Sequence, residues 1–82
     1  MSHPQHPQQH LEHFVLTTVV KYPEWAADAT AVLAAAHAQV HRRATQHGLV
    51  VQGRPSERVE DLHDARRVRI TLSVDALPEQ RP

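Results

Sequence analysis

The 82-residue chain contains no cysteine, which excludes disulfide staples, thiolate zinc sites and a cysteine nucleophile. Its two glycines, Gly48 and Gly53, fall at a helix end and a strand end, so no Gly-rich phosphate-cradling loop is present. Only one Phe, one Tyr and one Trp are present, so a platform of stacked aromatics for nucleotide bases is excluded. Net charge is also missing: nine basic residues balance nine acidic ones, and a general attraction to nucleic acid or anionic membrane is absent. No apolar run approaches the ~18 residues of a membrane span. The opening MSHPQHPQQH lacks the apolar stretch of a secretory signal, and a cytoplasmic location is expected.

Alanine, valine and arginine dominate what remains, with eight of the nine basic residues being Arg. That bias suits the high-GC genome of a bacterium or phage. Residues 1–11 combine Pro, Gln and His with a single Leu, bury nothing and are expected to be a disordered tail. The run Ser2-His3-Pro4-Gln5, then His6-Pro7-Gln8, resembles His-Pro-Gln peptides selected to bind streptavidin, but low complexity accounts for it. Residues 12–76 are expected to form one small α/β domain, and residues 77–82 a loose tail.

Within that domain, HFVLTTVV (13–20) is β-branched, aromatic and too short for a buried helix, and predicts a strand. Its apolar residues fall at both parities, Phe14 and Leu16 against Val15 and Val19, so the face away from the core also has something to meet. Pro23 suits the first turn of a helix. Glu24 and Asp28 favour the positive end of that helix, and Arg42, Arg43 and His47 the negative end. Gly48 supplies a left-handed stop. These signals predict one helix over 24–47. LVVQG (49–53) predicts a second strand cut by Pro55. Residues 66–74, with Val68, Ile70, Leu72 and Val74 alternating with polar residues, predict a third. The charged stretch 55–65 between them suggests a hairpin extension with Glu60 and Asp61 opposite Arg66 and Arg67.

The expected fold class is therefore α/β (α+β) in the order β-α-β-β. One helix packs on an antiparallel three-stranded sheet of order 1-3-2, the first half of a ferredoxin-like fold. Strand one would then be an open edge, and pairing of first strands in a homodimer would close it.

Three constellations carry possible chemistry. His37 and His41 in HAQVH stand four apart on the helix flank, a spacing that presents two imidazoles to one metal, with His63 as the nearest third candidate. Ala38 follows His37 where helical metalloproteases carry Glu, so the hydrolytic motif fails. Solvated histidines, or a pH-responsive contact, account for the pair more simply. Ala27, Ala31, Ala34 and Ala38 follow spacings of four, three and four, the seam of a close helix contact. Arg67, Arg69, Thr71 and Ser73 line the sheet face away from the helix, and Arg66 and Arg43 join Arg67 and Arg69 in a possible phosphate-binding set.

Catalysis has little support, since no Ser or Thr has a visible His–carboxylate partnership. Tautomerases on a related β-α-β plan are similar in layout, yet Met1-Ser2 stands where they carry a catalytic proline. The expectation is a small non-enzymatic homodimeric module acting through protein–protein contacts, with no cofactor and no membrane partner. Nucleic acid is a second, less favoured partner, and metal or pH sensing a third role.

Overall fold

The computed structural model describes residues 11–79. It is an α+β fold with strand β1 (Glu12–Lys21), helices α1 (Tyr22–Ala27) and α2 (Ala29–Gln46), then strands β2 (Leu49–Leu62) and β3 (Arg67–Pro78). A single 3₁₀ turn, His63–Ala65, joins β2 to β3. Both strand pairings are antiparallel and the sheet order is β1-β3-β2, as the alternation of residues 68–74 and the short β2–β3 connection predict. The low-complexity run at residues 2–8 lies outside the described residues.

The core is thin. Val68, Ile70, Leu72, Val74 and Ala76 point from β3 to the helices, where Ala36, Val40 and Ala44 of α2 meet them, and these eight are the buried hydrophobic residues among those described. Phe14, Leu16, Trp25, Val32 and Leu33 pack around them half-buried. The strand at the centre of the sheet is thus the apolar alternating one, and its odd-numbered side chains face away from the helices.

Four details correct the sequence-based expectation. The expected single helix is two, because Asp28 leaves helical geometry (φ −162°, ψ 84°) and its carboxylate accepts a hydrogen bond from the Ala31 N–H at 3.0 Å. Asp28 acts as an N-cap for α2 rather than as a dipole partner inside one long helix. Next, Pro55 does not end β2. It falls in a bulge between Gln52 and Ser56, where the register shifts and no ladder hydrogen bond is required, on an edge strand where proline is tolerated. Gly53 supplies the positive φ (71°) at that bulge.

The hairpin register is also two residues away from the expected one. Glu60 lies opposite Arg69, Asp61 opposite Val68 and Leu62 opposite Arg67. The 3₁₀ turn, with Arg66 left-handed at φ 53°, takes up the residues that a tighter turn would have paired. Finally, β3 runs to Pro78, so residues 77 and 78, expected in the loose tail, pair with Val50 and Leu49. The Glu79 N–H then donates to the Gly48 carbonyl at 2.7 Å.

The start and stop signals of the helical segment hold, the first for α1 and the second for α2. Pro23 lies in the first turn of α1, and the Gly48 φ of 71° stops the chain after α2 while its N–H bonds the Thr45 carbonyl.

Candidate binding surface

The register places the same set of positions on one uncovered face. His13, Val15, Thr17, Val19 and Lys21 of β1 lie opposite Asp75, Ser73, Thr71, Arg69 and Arg67 of β3. On the other side, Ser56, Arg58 and Glu60 of β2 lie opposite Ser73, Thr71 and Arg69. The four sheet residues expected on this face, Arg67, Arg69, Thr71 and Ser73, are on it together. Exposed valines occupy its β1 side: Val15 is 51% exposed and Val19 45%. Hydroxyls occupy the middle, and ion pairs lie towards both ends of the strands.

The strongest of these pairs is between Arg69 and Glu60. The guanidinium donates from Nε to Oε1 at 3.2 Å and from Nη2 to Oε2 at 3.0 Å, a fork-on-fork arrangement that fixes both side chains. Arg58 adds a longer contact to Glu60, 3.7 Å from Nε to Oε1. The hydrogen bonds from Arg69 hold the Glu60 carboxyl below its ordinary range against an upward push from burial, and the Arg58 charge adds to the lowering. Arg69 is raised in turn, first by its hydrogen bonds to Glu60. At the opposite end His13 Nδ1 bonds Asp75 Oδ1 at 3.2 Å.

On the helix side Asp61 accepts from the Tyr22 hydroxyl, and this hydrogen bond, first among its causes, raises the Tyr22 pKa. His37 Nε2 bonds Glu57 Oε2 at 2.9 Å, tying α2 to β2.

The other expected site residues are less assembled. Ala27 belongs to α1 and Ala31, Ala34 and Ala38 to α2, with the Asp28 break between them; all four are exposed, so the continuous four-residue seam is interrupted. The possible phosphate-binding set is dispersed: Arg43 lies in the last turn of α2, Arg66 in the hairpin turn, Arg67 and Arg69 on the sheet. His37 is engaged with Glu57, His63 is within 3.6 Å of Asp61, and among the described residues no three His, Asp or Glu side chains gather in a geometry that would hold a metal ion. Likewise, no Ser or Thr hydroxyl among the described residues hydrogen-bonds a histidine ring.

Sequence reasoning did not place Thr17 or Ser56 on this surface, and it set Glu60 opposite the wrong arginine. The parity of Val15 and Val19 was the visible signal for the β1 part. The Glu60–Arg69 pair was hidden by the length of the turn. None of the described helices is long and apolar enough to cross a membrane. Compared with protein-family models, curated proteins and solved structures, the chain matches none, and its function is argued from its own residues.

Proposed function

We propose that the protein is a small non-enzymatic binding module that works as a homodimer and engages another protein through the uncovered face of its sheet. The observation that carries this reading is the composition of that face. It combines exposed valines with a row of hydroxyls, and one of its arginines, Arg69, is committed to Glu60. A phosphate-binding surface needs free cations on one side of the molecule, whereas mixed apolar and hydroxyl character suits protein contact. The thin core supports the dimer, since a domain of this size buries only ~60% of its unfolded surface and gains from a partner. In this reading the strands and the two-part helix form half of a ferredoxin-like unit, and a second copy extends the sheet.

The test is site-specific photo-crosslinking in the producing cells. A photoreactive residue at Thr71 is expected to capture one discrete protein, and the same residue at Arg42, on the exposed surface of α2, to capture none. Crosslinking of Thr71 to nucleic acid instead, or equal capture from both positions, would overturn the proposal.

A further inference from the structure

The two edges of the sheet are built differently. The β2 edge carries a bulge, Pro55, Gly53 and charges, which are the devices that keep edge strands from pairing with other chains. The β1 edge carries none of them between Phe14 and Val20. Its register with β3 runs unbroken from Glu12 to Lys21, and among the described residues β1 pairs with β3 alone. Ten residues of regular strand therefore present unpaired N–H and C=O groups over ~33 Å.

We propose that this edge is the pairing surface for a second copy, with the two β1 strands antiparallel about a two-fold axis through Thr17. This rests on the homodimer reading above and gives it a register. A two-fold perpendicular to a continuous sheet keeps both helix layers on one side, so opposed residues share parity and the axis passes through a residue rather than between two. Three centres are available near the middle of the strand. With Leu16 at the centre, Val19 meets His13 and Val20 meets Glu12. With Thr18 at the centre, Val15 meets Lys21 and Val19 meets Thr17. With Thr17 at the centre, Val15 meets Val19 on the uncovered face, Phe14 meets Val20 on the helix face, and the two Thr17 side chains meet each other. Apolar and Thr–Thr cross-strand pairs are the stabilising ones.

Two further observations agree with that register. A groove of about 200 Å³ opens between the helices and β1, with Thr18, Val20, Val32 and Ala36 in its lining beside the polar Glu24 and Gln39. The Thr17-centred pairing brings Leu16 and Phe14 of the second copy opposite Thr18 and Val20, the β1 wall of this groove. The charges are complementary as well: Lys21 and its neighbour Arg67 come against His13 of the second copy and the Asp75 bonded to it. The shared result is one six-stranded sheet with both groups of helices on the same face.

The absence of native cysteine makes the test direct. Residues paired across the axis have Cα atoms ~4.5–5.5 Å apart, within the span of a disulfide. Mild oxidation of full-length Thr17→Cys is expected to link most of the protein into covalent dimers. Val15→Cys alone, ~13 Å from its symmetry mate, is expected to stay unlinked, and Val15→Cys/Val19→Cys to link. Native mass spectrometry of the unaltered chain runs alongside. A dimer in which Thr17→Cys fails to link, or Val15→Cys links by itself, would overturn the register and leave the homodimer standing. A monomer would overturn both.

Discussion

At the scale of single residues, the Glu60–Arg69 pair is where the protein's charge chemistry is concentrated. Its two hydrogen bonds lower the folded-state pKa of Glu60 below the value in the unfolded chain, with Arg58 contributing further. A carboxylate depressed in this way stabilises the fold at pH above its unfolded value, and the stabilisation disappears as pH falls through the folded value. The melting temperature of the native chain should therefore drop more steeply than that of Glu60→Gln as pH falls below about 4.5, with the two curves converging at the acid end. Parallel curves across that range would show that the pair contributes nothing in solution. Arg66 is a different case. A non-glycine residue at φ 53° is held in a left-handed conformation by the hairpin turn, and its carbonyl accepts the Tyr22 N–H at 3.2 Å. Arg66→Gly keeps that carbonyl and relieves the side-chain clash, so it should raise stability by up to ~1 kcal/mol in urea melts.

At the scale of elements, the helical segment divides at Asp28, so that Trp25 packs on the core from α1 while α2 supplies Ala36 and Val40. The Asp28 carboxylate satisfies one of the open N–H groups at the start of α2. Asp28→Ala should cost ~1 kcal/mol by denaturant unfolding, and Asp28→Ser should recover most of it. If Asp28→Ala were neutral, α1 and α2 would behave as one continuous helix, as the periodicity alone suggests. The strands show how far local sequence can be read. The alternation of Val68, Ile70, Leu72 and Val74 identified the central strand and its buried face, because period-two patterning and burial on one side are the same fact. The extent of β2 was not legible: Pro55 is a strand breaker by local rules, and only the position of β2 at the sheet edge lets a bulge absorb it. The register of the hairpin was also hidden, since it depends on how many residues the turn consumes.

At the scale of the whole molecule, a small core carries the fold. Ile70 is fully buried and is one of the largest side chains in that state. Ile70→Ala should cost ~3–4 kcal/mol, a large share of what a domain this size possesses, and a chain with little native circular dichroism signal at 37 °C is the expected result. A variant that melts like the parent would mean that the core lies elsewhere. So thin a core beside an unprotected edge strand is the whole-molecule argument for pairing between copies. That pairing would set protein concentration as a determinant of stability.

The sequence by itself determined the α+β class, the central apolar strand, the sheet order, and the helix stop at Gly48. These follow from local periodicity, a left-handed glycine and the short reach of a hairpin. It also marked β1 as apolar on both faces. Only the tertiary structure decided that Asp28 caps a second helix, that Pro55 sits in a bulge, and that Glu60 binds Arg69. It likewise decided which residues join Arg67, Arg69, Thr71 and Ser73 on one face. Each of those outcomes depends on partners distant in the chain or on the count of residues in a turn, and side-chain propensities do not carry that information.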